Sequence, residues 1–203
     1  MRYGYLCSAA VLLTLSSLTG CASSPSETYY TLSAGAAVNG TTASSSEPAY
    51  SIAVGPITLP EVVDRPQLVL RAGPNEVVIV ELHRWAGPLR SEIPRIIADN
   101  LAAYLNVKRV AAYPQSAGDN ADYRVLVDIQ RFDSTMGESV TIDALWTVKR
   151  VSDGIFRTGR STARESSSGG TYEGLVAAHS RALATISREI AEAVRVISAT
   201  TQR

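Results

Sequence analysis

Three runs in the second half of the chain alternate apolar and polar side chains with a period of two. Tyr123, Val125, Val127 and Ile129 share one face of the first run. Val140, Ile142, Ala144, Trp146 and Val148 share one face of the second, opposed by Thr141, Asp143, Thr147 and Lys149. The third run, 155–164, follows Ser152-Asp153-Gly154, a hairpin signal. A meander that is polar on one side predicts an antiparallel sheet with one wet face. Two other stretches repeat at helical spacing. Leu89, Ile93, Ile96, Ile97, Leu101, Tyr104 and Leu105 predict a helix with Pro88 in its first turn, where a missing N–H is harmless. Pro94 then falls inside that helix and should kink it. If Ser91 is the cap instead, Pro94 sits in the tolerant first turn; the earlier start with a kink fits the apolar run better. Leu175, His179, Leu183, Ile186, Ile190, Val194 and Ile197 predict a second, longer helix over about 171–198.

The first half of the body adds shorter elements. Residues 50–59 read as a strand ending at Pro60, and 109–113 as another closed by Pro114. Residues 67–71 and 76–82 read as a hairpin around Ala72-Gly73-Pro74-Asn75. Its run Val77-Val78-Ile79-Val80 is apolar on both faces, which predicts a central strand or one covered on both sides. Two main helices and a mostly antiparallel sheet predict a two-layer α+β domain over 49–203.

The N-terminus has a different character. Met1-Arg2 precedes an apolar stretch of Leu6, Val11, Leu12, Leu13, Leu15 and Leu18. That stretch is shorter than the roughly 20 residues needed to span a bilayer, and fits a secretory signal over residues 1–20. Leu18-Thr19-Gly20-Cys21 follows directly and resembles a bacterial lipobox. The resemblance implies cleavage before Cys21 and acylation of its thiol and new α-amine with chains such as palmitate. Each buried methylene contributes about 0.8 kcal/mol, so several chains anchor stably without a transmembrane helix. Ala22 stands where an Asp would resemble an inner-membrane retention signal, which favours the periplasmic leaflet of the outer membrane. Residues 21–48 read as a lipidated flexible tether, rich in Ser, Thr, Ala and Gly. Its last sixteen residues would span roughly 22 Å root-mean-square. Tyr29-Tyr30-Thr31-Leu32 interrupts it, either as a short edge strand or as an aromatic contact near the membrane.

Composition narrows the classes. The 203 residues carry nineteen Lys+Arg against nineteen Asp+Glu, with 45% hydrophobic positions. Losing Arg2 with the signal leaves eighteen against nineteen, a formal charge of −1. Nucleic-acid binding, which needs a basic excess, is not expected. Cys7 leaves with the signal, so no disulfide or cysteine-rich metal site is expected in the mature chain.

Candidate chemistry is sparse, and no cofactor is expected. The chain lacks GxSxG, SxxK, HExxH, P-loop and GxGxxG motifs. His83 precedes Arg84-Trp85 at a strand-to-helix corner, with Glu81 on its strand face; two ligands are too few for zinc, and a surface histidine is expected. His179 sits on the apolar stripe of the last helix and reads as a packed, hydrogen-bonded core residue. Arg157, Arg160 and Arg164 form the one local basic cluster. Arg160 and Arg164 share a strand face and are candidate contacts for anionic headgroups, unless they simply solvate that face. Trp85 and Trp146 are interface anchors or core residues, with Trp146 in phase with a core face.

Several segments together resemble the ABC-type transport auxiliary lipoprotein family, which includes the PqiC/YmbA-like lipoproteins. They are the lipobox, Tyr29-Tyr30-Thr31-Leu32, Gly55-Pro56-Ile57, Leu59-Pro60, Asp64-Arg65-Pro66-Gln67-Leu68-Val69, residues 71–78, Trp85-Ala86-Gly87-Pro88-Leu89 and Asn100-Leu101. Pro94 departs from the uninterrupted helix expected there. The resemblance implies a non-enzymatic periplasmic accessory of an intermembrane lipid-transport system. Its partner would be an MCE-domain protein that reaches across the periplasm, and self-association into a ring is compatible with such a collar. The loop containing Asp64, Arg65, Pro66 and Gln67 and the corner containing Trp85 and Pro88 become candidate partner contacts. The alternatives are an assembly factor for an outer-membrane protein and a periplasmic hydrolase. A polar pocket joining His83 or His179 to carboxylates would favour the hydrolase.

Overall fold

A computed structural model describes residues 25–35, 49–113, 120–167 and 169–200 of the chain. The signal segment, Cys21, 36–48 and Pro114 lie outside the described residues. The elements in order are β1 (Thr28–Tyr30), β2 (Ile52–Thr58), β3 (Gln67–Gly73), β4 (Glu76–Trp85), α1 (Leu89–Leu105), β5 (Val110–Ala112), β6 (Tyr123–Thr135), β7 (Ser139–Arg150), β8 (Phe156–Ser166) and α2 (Tyr172–Ala199). The three alternating runs are thus the three longest strands.

The fold is α+β, with its strands divided between two mixed sheets rather than one. The larger has the order β5-β2-β6-β7-β8 and the smaller β1-β4-β3. β6, β7 and β8 form the expected antiparallel meander. β2 runs parallel to both β5 and β6, because α1 returns the chain to the starting end of the sheet before β5. β2 shifts register between Val54 and Ile57, where Gly55 has a φ of 111°. A Cβ there would also sit 2.9 Å from that of Tyr113, so glycine meets two constraints at once.

The inward faces of β6 and β7 meet the apolar stripe of α2. Val125, Val140, Ile142, Ala144 and Val148 are fully buried, as are Leu175, Leu183, Ile186 and Ile190. Burying each large aliphatic side chain contributes about 1.5–3 kcal/mol. Trp146 shares this face and lies flat against β8, where a Cβ on Gly159 would fall 2.1 Å from its ring. Its indole N–H donates to Ser161 Oγ at 2.8 Å, and Ser161 donates to Glu189 of α2 at 2.5 Å. The one polar atom of the ring is therefore satisfied inside the core.

Both helices begin where the sequence pattern places them. The Ser91 and Glu92 amides donate to the Pro88 carbonyl at 2.9 and 3.0 Å, and α1 continues through Pro94. Asn106 closes α1 in the left-handed conformation, with its amide on the Ala102 carbonyl. Thr171 caps α2 by accepting the Gly174 amide at 3.0 Å.

Residues ahead of position 49 also belong to the folded body. β1 pairs with β4, and Leu32 is buried in the core. The Ser33 amide donates to Ser180 Oγ at 3.2 Å and the Gly35 amide to Asn100 Oδ1 at 2.9 Å. The N-terminal segment therefore lies across both helices.

β4 is the middle strand of its sheet, as its apolar run predicts, but it is not covered on both sides: β1 pairs only with its end, from His83 to Trp85. Val77, Val78, Ile79 and Leu82 are 41%, 45%, 38% and 38% exposed. The apolar run that predicted burial on both faces is an uncovered hairpin arm. Opposite Val77, near the hairpin turn, Arg71 holds Asp133 of β6 through two bonds of 3.0 Å.

Candidate docking cavity

Hairpin geometry brings the two sequence-selected segments together. β3 and β4 are antiparallel, with Gln67 opposite Arg84, so the residues before β3 meet those after β4. The Trp85 amide donates to the Pro66 carbonyl at 2.7 Å, and the Ala86 amide to the Tyr30 carbonyl at 2.7 Å. A tight turn precedes β3, in which the Arg65 amide donates to the Val63 carbonyl at 2.9 Å. Pro66 and Pro88 fix φ on the two sides of the junction. Between them lies a cavity of about 280 Å³, lined by Asp64, Arg65, Pro66 and the stretch from Trp85 to Leu89.

Its walls are mostly apolar. Trp85 is buried, edge-to-face against Phe132 and His179 with ring centroids 6.3 and 5.9 Å away, and offers the cavity only part of its surface. Asp64 is ion-paired with Arg90 in the first turn of α1, which secures the loop to the helix. Gln67 faces away from the cavity lining and donates to Glu81 at 3.1 Å. Arg65 is different. It lines the cavity, while its Nε atom is buried without a hydrogen-bond partner. Such a buried atom costs about 1–3 kcal/mol while it stays unpaired. An apolar slot with a guanidinium in its lining can hold a short stretch of polypeptide by a side chain and a carbonyl or carboxylate.

The two histidines have other company. His83 Nδ1 lies 2.8 Å from the Tyr30 hydroxyl, and its ring stacks on Tyr172 at 3.7 Å. His179 is buried, stacks on Phe132 at 4.0 Å and shares a 2.7 Å hydrogen bond with Ser134. Burial pushes its pKa down to about 3, so the ring is neutral. No group of three or more His, Cys, Asp and Glu among the described residues is placed to hold a metal ion. No helix among them is long and apolar enough to cross a membrane. Arg160 is ion-paired with Asp143 of β7, and Arg164 donates to Ser139 at 3.1 Å. The Arg160 hydrogen bonds outweigh burial and hold the Asp143 carboxyl below its ordinary range.

Sequence reasoning missed two features. A larger, more open groove of about 610 Å³ runs over the outer face of the five-stranded sheet, with exposed Leu126 and Leu145 in its lining. The signal was present, because Leu145 stands at an outward position between Asp143 and Thr147. The unpartnered Arg65 Nε had no sequence signal, since pairing depends on which side chains fold around it.

A family model described as the ABC-type transport auxiliary lipoprotein component matches residues 30–191. No functionally curated protein matches the sequence. Among solved structures, an uncharacterized protein superposes with a TM-score of 0.67 and 17% identity, over 84% of this chain and 99% of that one. A Xanthomonas campestris protein of the DUF330 family gives a TM-score of 0.67 and 18% identity, over 86% of this chain and 98% of that one. At these identities the likeness is one of fold.

Proposed function

The chain belongs to the ABC-type transport auxiliary lipoprotein family, and from that membership we propose that it is the outer-membrane docking subunit of an MCE-type intermembrane lipid-transport system. Acyl chains on Cys21 hold it in the periplasmic leaflet, and the folded body receives the end of an MCE-domain protein that crosses the periplasm. The supporting observation is the convergence of Asp64–Pro66 and Trp85–Leu89 on one cavity with Arg65 in its lining. In this reading the body contributes binding rather than chemistry, through a cavity with mostly apolar walls.

Affinity purification of the acylated protein from its own envelope, compared with an Arg65→Ala variant, tests this reading. Recovery of an MCE-domain protein with the wild type, reduced at least tenfold by the substitution, is the expected result. Recovery of an outer-membrane barrel protein without an MCE partner would support the assembly-factor alternative instead. The anchor is tested separately with Cys21→Ser, which should abolish incorporation of labelled palmitate; undiminished labelling would refute it.

A further inference from the structure

We propose that the β3–β4 hairpin arm is a second membrane contact, seating Val77, Val78 and Ile79 at the headgroup–acyl boundary of the bilayer that holds Cys21. The inference rests on the reading that Cys21 is the lipid anchor. Three consecutive strand residues project to alternate faces, and all three are exposed, so the arm is bare on both sides. From Ala72 to Val80 the only charged residue is Glu76. Arg71, directly opposite Val77 near the turn, has its charge engaged by Asp133 of β6.

The position of the arm relative to the anchor selects a bilayer as its occupant. β1 runs parallel to β4, with Thr28 opposite His83. Moving from Thr28 back toward the N-terminus is therefore moving in the direction of the hairpin turn. Cys21 precedes Thr28 by seven residues, and Glu76 precedes His83 by seven. Seven residues of chain reach at most about 25 Å, so the body cannot stand farther than that from an anchored Cys21. The arm from His83 to Glu76 covers roughly 23 Å in the same direction, at about 3.3 Å per residue. The apolar end of the arm therefore lies in the direction, and within the reach, of an anchored Cys21.

The Arg84–Glu27 ion pair at 2.9 Å fixes the chain as it enters β1, on the side from which it leads back to Cys21. Glu76, at the turn, would meet the ammonium groups of phosphatidylethanolamine. Two contacts instead of one convert a swinging tether into a defined orientation, because the second binds at high effective concentration.

The test uses the full acylated chain in vesicles of phosphatidylethanolamine and phosphatidylglycerol. Cys21 is blocked by acylation in the mature chain, so Val78→Cys supplies a single thiol for a polarity-sensitive fluorophore. Ile79→Cys probes the opposite face of the arm. Ser152→Cys, in the turn after β7 at the far end of that strand from Asp133, is the reference. Probes at 78 and 79 should be quenched by acyl-brominated lipids at least fivefold more strongly than the probe at 152. Flotation with the vesicles reads the anchor independently. Protein that floats while 78 and 79 respond no more than 152 would overturn the hairpin contact and leave the anchor standing. Protein that does not float would remove the anchor and this inference with it. Shielding of the probes that depends on protein concentration and persists without vesicles would assign the arm to a second copy of the chain, also overturning the proposal.

Discussion

The Gly35 amide donates to Asn100 Oδ1 at 2.9 Å, carrying a backbone bond from the N-terminal segment into the face of α1. Asn100 is only 1% exposed, and its Nδ2 reaches Ser187 Oγ on α2 at 3.3 Å. One buried amide thus joins both helices to the segment that precedes residue 36.

Asn100→Leu would strand the Gly35 amide in an apolar seam. The expected loss is about 1–3 kcal/mol of unfolding free energy in urea titration. Hydrogen exchange at Gly35 should accelerate before exchange in β6 and β7. An unchanged exchange rate at Gly35 would show that the segment is held by Leu32 alone.

Gly159 tests the packing of Trp146. A Cβ at position 159 would meet the indole at 2.1 Å, and both partners belong to paired strands with little freedom to part. Gly159→Ala is expected to cost on the order of 1–3 kcal/mol or more through overpacking. It should also shift Trp146 fluorescence, because the Ser161 bond to the indole would be displaced. A wild-type emission spectrum and melting temperature would contradict the packing described.

His179 makes stability depend on pH. Its pKa lies near 6.5 in the unfolded chain and is pushed down to about 3 by burial in the fold. A base with a depressed folded pKa favours unfolding once it protonates in the unfolded state. Its contribution is therefore intact above pH 6.5 and declines as pH falls toward about 3. Between pH 6.5 and 5 the loss should be on the order of 2 kcal/mol. Urea titrations of the wild type should show this slope and His179→Gln should lack it. Equal slopes would place the pH dependence elsewhere.

Much of this fold was legible because periodicity survives in one dimension. The meander from β6 to β8 and the two helices follow directly from residues such as Val140, Ile142 and Leu183. The parallel neighbours of β2 were not legible, since a period of two does not say in which direction the adjacent strand runs. Val77 to Val80 was legible as a central strand, but not its exposure: an apolar run predicts a preference for burial, whereas burial itself depends on neighbours, and β1 is too short to cover that arm. The run Tyr29-Tyr30-Thr31-Leu32 was legible as a short edge strand, but the depth of Leu32 was not, because one aliphatic residue in a polar stretch gives no period. The cavity was half legible. Both of its segments stood out, and the hairpin between them already required residues 64–66 and 85–88 to meet. The bare Nε of Arg65 required the fold.

Arg65→Met separates docking from stability. The substitution keeps an apolar stem while removing the unsatisfied donor. The melting temperature should be unchanged or higher, and capture of the MCE-domain partner should fall at least tenfold. Retained capture would mean that the partner reads another surface, with the Leu126–Leu145 groove the next to examine.

Site-specific photo-crosslinking in intact cells tests the docking account most directly. A photoreactive residue placed at Pro66, on the rim of the cavity, is compared with one placed at Ser152 in the turn after β7. The account predicts an adduct between position 66 and an MCE-domain protein, weakened by Arg65→Met and absent from position 152. An adduct from 66 to an outer-membrane barrel protein alone, or MCE adducts from 152 and none from 66, would contradict it.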